Sequence, residues 1–284
     1  MTRWVMALGS GGARLGAVAR YALGPVEDVT PELSIVIPAL NEVGNVGPLV
    51  EQVEQNVRGA GGGGGVEAEL IIVDDGSTDG TDAKLRELQQ GRPWLRVLRR
   101  ERAQGQSSAM YAGIQAARGE FVATLDADLQ NDPAELPKML AMLREKGVDF
   151  VQGDRSADRQ DTFMRRRASW VGRTARNLIL ADPVKDTGCS ARVLRASIAK
   201  QLPLQYKGMH RFFPAYAARL GATIVEFPVK HRPRAAGETK YGVGVLTRGL
   251  AGLFDCFAVR WMGKRLRDTG VVEQAAVRET EPGA

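Results

Sequence analysis

The sequence contains no run of 18 or more apolar residues, so no segment reads as a membrane-spanning helix. Its two cysteines, Cys189 and Cys256, lie in apolar surroundings without metal-ligand spacing and read as ordinary buried thiols in a reducing compartment. Near the start, Trp4-Val-Met-Ala-Leu8 is too short for a signal-peptide core, although Arg3, Arg14 and Arg20 precede the first acid, Glu27. Gly9-Ser-Gly11-Gly12 has no strand before it and no Gly-Lys-Ser/Thr after it, which removes it as a phosphate loop. The net charge of +6 calls for an anionic partner: nucleic acid, an anionic membrane or phosphorylated substrates. No helix-turn-helix, zinc-finger or RNA-binding signature accompanies the charge, so no nucleic-acid partner is expected.

What is present is a repeating pattern. At 284 residues, 44% of them hydrophobic, the chain can hold one large or two small domains with a substantial core. Apolar strand-like runs fall at 33–37, 70–73, 95–98, 120–125 and 148–151, with helical patterns at 44–57, 79–89 and 105–117 between them. This βαβ rhythm predicts an α/β fold with a mainly parallel sheet flanked by helices. Gly61 to Gly65 reads as a flexible surface loop, because neither its spacing nor its neighbours suit a nucleotide fingerprint.

Three of the runs end in polar residues. Leu33-Ser-Ile-Val-Ile37 leads into Pro38-Ala-Leu40-Asn41-Glu42, Leu70-Ile-Ile-Val73 into Asp74-Asp75-Gly76-Ser77, and Phe121-Val-Ala-Thr-Leu125 into Asp126-Ala-Asp128-Leu-Gln130. In an open α/β sheet, ligands bind at such carboxyl ends of strands. In an extended chain Asp126, Asp128 and Gln130 would project to one side, giving three oxygen donors for a hard cation, Mg²⁺ or Mn²⁺. Such an ion needs further oxygens, and a diphosphate supplies them. The alternative is a strand end with solvated acids before the turn at Asn131-Asp132-Pro133.

Taken together, Ile37-Pro38-Ala-Leu-Asn41-Glu42, Val73-Asp74-Asp75-Gly76-Ser77-x-Asp79-Gly80-Thr81 and Asp126-Ala-Asp128-Leu-Gln130-x-Asp-Pro133 resemble the signatures of family-2 glycosyltransferases with a GT-A (Rossmann-like) fold. More narrowly, the chain from about Leu33 to Tyr241 is similar to the branch that holds dolichol-phosphate mannose synthase and the polyprenyl-phosphate glycosyltransferases. The resemblance implies an inverting transfer of sugar from a nucleotide diphosphate sugar, UDP- or GDP-linked, to a polyprenyl phosphate of dolichyl or undecaprenyl type. It also implies roles. Pro38, Leu40, Glu42, Asp74 and Asp75 would line the nucleoside pocket, while Asp126, Asp128 and Gln130 would hold the metal beside the donor. Asp75-Gly76-Ser77 could instead only turn the chain, with Ser77 or Asp79 capping the next helix. The small residues from Gly105 to Gly113 suit close packing.

For the acceptor, the resemblance assigns Arg155, Arg165 and Ser169 to the lipid phosphate, and an arginine fork suits that anion. A solvated basic face from Arg165 to Arg176 is the alternative. Arg234, Gly237, Thr239 and Lys240 match a mobile loop whose cations, Arg234 and Lys240, would close over the diphosphate; a linker binding anionic headgroups is the other reading. Where hydroxyl-directed relatives carry an acid as general base, this chain reads Gly208-Met-His210-Arg211-Phe-Phe. A phosphate monoester, with a second pKa near about 6, is already ionised and needs no such base. His210 is left as an orienting residue or a base.

The branch commonly carries spanning helices after the catalytic domain, and this sequence departs from that. Leu246, Leu250, Leu253, Phe254, Phe257 and Trp261 fall on one helical stripe, with Arg248 and Asp255 opposite and Lys264, Arg265 and Arg267 at the end. We read a C-terminal amphipathic helix lying on a membrane surface; a helix packed on the catalytic domain or in an oligomer interface shares the periodicity. The expected organisation is a flexible tail at 1–32, a GT-A catalytic domain at 33–230, the loop and interfacial helix at 231–269 and a disordered tail at 270–284. The expected location is cytoplasmic, peripheral on the inner face of the membrane, alone, as a homo-oligomer or with a membrane partner protein. Two other functions stay open: a soluble family-2 transferase acting on a hydroxyl acceptor, and a silent module binding nucleotide sugar or lipid.

Overall fold

Strands β1 (Leu33–Ala39) and β2 (Ala68–Asp74) are apolar on both faces. Leu33, Ile35 and Ile37, with Leu70 and Ile72, pack into one layer of core, while Val36, Ile71 and Val73 pack into the other. Such two-sided burial is what a parallel sheet covered by helices demands. These side chains are completely buried, each contributing about 1.5–3 kcal/mol relative to exposure. The computed structural model describes residues 30–59, 65–156, 174, 176–180, 184–230, 232 and 245–265. Residues 1–29 of the tail expected at 1–32, and the tail expected at 270–284, lie outside the described residues.

In chain order the remaining described elements begin with α1 (Val43–Asn56), α2 (Thr81–Gln89), β3 (Leu95–Arg99), α3 (Gln106–Ala116), β4 (Phe121–Thr124) and α4 (Leu136–Lys146). They continue with β5 (Phe150–Asp154), β6 (Arg192–Arg195), α5 (Ala196–Ala199), α6 (Phe213–Arg219), β7 (Ile224–Pro228) and α7 (Val245–Arg265). The sheet runs β3-β2-β1-β4-β6-β5-β7, and every pairing is parallel except those of β6, which is antiparallel to both neighbours. Helices α1, α2 and α4 cover one face; α3, α5, α6 and α7 cover the other. The mainly parallel α/β sheet flanked by helices is therefore present. The fifth strand starts two residues later than expected and ends three later, so that Gly153 and Asp154 belong to it.

Because β2 and β4 flank β1, the chain leaves the sheet centre in opposite directions and opens a crevice at the strand ends. Glycine is required at one close approach nearby: a Cβ at Gly153 would stand 2.8 Å from the Ala191 carbonyl oxygen. Gly113 is equally constrained, its missing Cβ leaving room for Val36 and Val73 under α3. The close packing expected of this helix is what it does.

Helix α7 is packed on the domain along one side. Cys256 and Val259 are buried against the second core layer, and Asp255 accepts a hydrogen bond from Arg211 at 3.0 Å. On the other side Phe254, Phe257 and Trp261 are 74%, 54% and 58% exposed, so their apolar stripe points away from the domain. Among the described residues no helix is long and apolar enough to cross a membrane.

Candidate active site

The ends of β1 and β2 are knitted to each other before they meet any ligand. Asn41, in a left-handed conformation (φ 55°), donates its N–H to Ser77 Oγ at 2.9 Å and accepts from Thr78 N–H at 2.9 Å. Asp79 accepts from the N–H groups of Thr81 at 3.0 Å and Val43 at 3.1 Å, so one carboxylate serves the starts of α1 and α2 together. Gly80 holds the N-cap position of α2, Asp79 one residue before it accepts from the first helical N–H, and Ser77 joins the two turns.

Pro38, Leu40, Glu42, Asp75, Asp126 and Asp128 line one open pocket, with Ala39, Ala103, Gly105, Gln106 and Ala127. Six sequence-predicted residues therefore come together. Asp74 does not: it is completely buried, accepting from Ser77 N–H at 2.9 Å, with Arg99 Nε 3.8 Å from its other oxygen. Asp75 reaches the pocket while already accepting from Arg100, Gln104 N–H and Gly105 N–H at 3.1, 3.0 and 2.7 Å. The Gln104 N–H also reaches its second oxygen at 3.1 Å, and together these bonds anchor the loop that forms the pocket wall.

Gln130 is a correction to the alternating pattern. Strand β4 stops at Thr124, and Leu129 takes a left-handed conformation (φ 61°), costing about 1–2 kcal/mol and reversing the chain. Residues 126, 128 and 130 therefore do not share an extended face. Gln130 donates from Nε2 to the Arg232 carbonyl at 3.4 Å and accepts from Arg232 N–H at 2.9 Å, away from the pocket lining. Arg165, Ser169, Arg234 and Lys240 lie outside the described residues.

Asp126 and Asp128 suit a divalent cation by their electrostatics. Burial first, and then the Asp128 carboxylate, push the Asp126 carboxyl above the usual range, against a Ser190 hydrogen bond and the charges of Arg192 and Arg155. Two crowded carboxylates facing a pocket are what a cation relieves. Among the described residues no group of three or more His, Cys, Asp or Glu could hold a metal ion, so two carboxylates would share it with oxygens from a ligand.

Arg155 follows β5 and is gripped by Asp186: its Nε and one terminal nitrogen donate to the two carboxylate oxygens at 2.8 and 3.1 Å. The fork is thereby fixed, with its other terminal nitrogen outside this pair. Three further residues were not singled out from the sequence. Gln106 donates to Asp126 Oδ1 at 2.7 Å, Asp186 holds Arg155, and Arg192, 3% exposed, donates to Gln152 at 3.0 Å beneath the site.

Comparison with known proteins now bears on this geometry. The family model described as "Glycosyl transferase family 2" matches residues 34–202, from β1 through the pocket to the residues just after α5. The chain belongs to this family. A dodecaprenyl-phosphate galacturonate synthase of Rhizobium johnstonii is 41% identical over 223 residues, covering 77% of this chain and 64% of that protein. An undecaprenyl-phosphate 4-deoxy-4-formamido-L-arabinose transferase of Edwardsiella ictaluri is 36% identical, covering 79% and 67%. The chain thus spans about two thirds of the length of these relatives. Among solved structures, glucosyl-3-phosphoglycerate synthase of Mycobacterium tuberculosis with Mn²⁺, uridine diphosphate and phosphoglyceric acid has a TM-score of 0.57 at 21% identity, covering 85% of this chain and 81% of that one. A Pyrobaculum calidifontis mannosyltransferase with GDP-mannose and Mn²⁺ has a TM-score of 0.52 at 19% identity, covering 72% and 57%. At these identities the likeness establishes the GT-A fold alone.

In this family-2 chain the stretch read as lacking a general base contains His210, mostly buried beside the start of α3. Its Nδ1 lies 2.7 Å from Ser107 Oγ. Burial, then the charges of Arg192 and Arg211, push its imidazole down to about 4, so it is neutral at pH 7 and a feeble proton acceptor. Between about pH 6.5 and 4 the unfolded chain binds a proton that the folded protein refuses, so stability falls as pH falls through that window, by about 1.4 kcal/mol per unit. Urea unfolding of the parent and His210→Gln between pH 7.5 and 4.5 checks this. The variant is expected to lose that part of the slope; equal slopes would remove His210 as the cause.

Proposed function

We propose that the chain is an inverting glycosyltransferase that moves a sugar from a UDP- or GDP-linked donor to a polyprenyl phosphate. The observation that carries this is one pocket lined by the ends of β1 and β2 and by Asp126 and Asp128, in a family-2 chain whose relatives are described as polyprenyl-phosphate sugar transferases. Pro38, Leu40, Glu42 and Asp75 line the part of the pocket that receives the nucleoside. Asp126 and Asp128 would hold Mg²⁺ or Mn²⁺, which when bound supplies neutralisation of the diphosphate leaving group. Gln106 keeps the Asp126 carboxylate turned toward the pocket.

An oxygen of the lipid phosphate attacks the anomeric carbon from the side opposite the nucleotide. The bond from that carbon to the diphosphate breaks, its electron pair leaves with the nucleoside diphosphate, and configuration inverts. Arg155, braced by Asp186, and Arg165 with Ser169 hold the acceptor phosphate; Arg234 and Lys240 approach the leaving diphosphate. No protein base takes part, in keeping with a neutral His210 of low basicity. Attachment is peripheral, at the inner face of the membrane, through the outward stripe of α7.

The test is transfer from radiolabelled UDP- and GDP-sugars to three acceptors: a polyprenyl phosphate, the corresponding free polyprenol, and a soluble sugar. Lipid-linked product from the phosphate alone, lost on adding EDTA, is expected. Transfer to the polyprenol or the sugar with the phosphate inert would overturn the reading in favour of a hydroxyl acceptor.

A further inference from the structure

Strand β6, antiparallel to both its neighbours, brings a distant residue to the carboxylate turn. In the β4–β6 ladder Thr124 stands opposite Arg192, and the same register continued by two residues sets Asp126 opposite Ser190. Ser190, 4% exposed, accepts from Asp126 N–H at 3.2 Å and from Asn131 Nδ2 at 2.7 Å. A hydroxyl has two lone pairs and one proton. Both lone pairs are thus occupied. The two ends of the turn that contains left-handed Leu129 thus meet on one oxygen.

Ser190 is itself fixed. Thr124 Oγ1 donates to its carbonyl at 2.6 Å, and Gln152 Nε2 donates to the carbonyls of Asp186 and Cys189 at 3.1 Å each. Thr124 and Gln152 are completely buried, so the clamp is mounted on the sheet and not on a loop. Asp126 and Asp128 sit on the segment it closes, just beyond the last residue of β4.

We infer that Ser190 is a positioning residue for the metal site: its hydroxyl clamps the Asp126–Asn131 turn and so fixes the backbone that carries Asp126 and Asp128. The inference rests on the reading of Asp126 and Asp128 as metal-holding carboxylates. Residues that orient a ligand from behind it typically change metal affinity 10- to 100-fold.

The experiment uses the full chain with Ser190→Ala, Ser190→Thr and Ser190→Cys, Mn²⁺ alone as probe, and electron paramagnetic resonance to count free ion. Ser190→Ala is expected to weaken Mn²⁺ binding about tenfold, Ser190→Thr to restore it to within about threefold of the parent. Hydrogen exchange without metal is expected to rise at the amides of 126–129 in Ser190→Ala and to stay near parental in Ser190→Thr. If Ser190→Ala does not fold, Ser190→Cys, close in volume but a weak acceptor, is expected to show the same changes. Parental Mn²⁺ affinity and parental exchange in a folded Ser190→Ala or Ser190→Cys overturn the inference. A parent that binds no Mn²⁺ overturns the metal reading instead, and the exchange arm then decides alone whether Ser190 holds the turn.

Discussion

Asp128→Asn is expected to lower sugar transfer about a hundred- to a thousandfold, the usual cost of losing one preorganised charge at a reacting centre, while the metal-free protein becomes no less stable. Asparagine keeps the oxygen that accepts from Gln130 N–H at 3.2 Å, so the turn retains that bond. What disappears is a negative charge that, after burial, is the second cause holding the Asp126 carboxyl above its usual range. Removing a like charge from a crowded pair relieves repulsion, so the melting temperature without metal should stay level or rise. The melting-temperature gain that Mn²⁺ and a nucleoside diphosphate give the parent should vanish in the variant, because a ligand stabilises only the state it binds. Calorimetry with and without those ligands, beside a transfer assay, reads all three effects. Near-parental turnover in a folded Asp128→Asn protein would remove Asp128 from the site.

The sheet centre was legible because a strand buried on both faces must be continuously apolar, and Pro38 and Asp74-Asp75 mark where two such runs end. Their convergence into one pocket follows from parallel topology alone. What stayed hidden depended on backbone conformation or on distance along the chain. Leucine gives no sign that it will turn left-handed, and so the extended alternation expected of Asp126, Asp128 and Gln130 is broken after Thr124. Ser190 is 64 residues from Asp126, and only the antiparallel insertion of β6 makes them neighbours. Asp75 looked like a nucleoside acceptor and is one of the pocket residues, yet most of its capacity goes to Arg100, Gln104 and Gly105. A sequence shows which carboxylates are present, not which donors reach them first.

Helix α7 carries the second large effect. Its buried side holds Cys256 and Val259, so the helix is seated on the domain, and its outward side offers Phe257 and Trp261 at 54% and 58% exposure. Arg260, Lys264 and Arg265 are exposed on the same helix, and the Arg265 guanidinium lies 4.4 Å from the Trp261 ring centre. Basic residues next to an anionic surface contribute about 1 kcal/mol each, and two aromatics entering the interface on the order of 3 kcal/mol together. Phe257→Ser with Trp261→Ser should therefore cut affinity for anionic vesicles about a hundredfold, with the remaining affinity more sensitive to salt because only charge is left to supply it. The core side of the helix is untouched, so the melting temperature should hold and transfer to a short-chain, water-soluble acceptor should stay within about threefold of the parent. Sedimentation with vesicles measures the first effect and calorimetry the second. Parental sedimentation of a folded double variant would move recruitment away from α7, whereas a large drop in melting temperature would show that the aromatic stripe holds the protein together and not to a membrane.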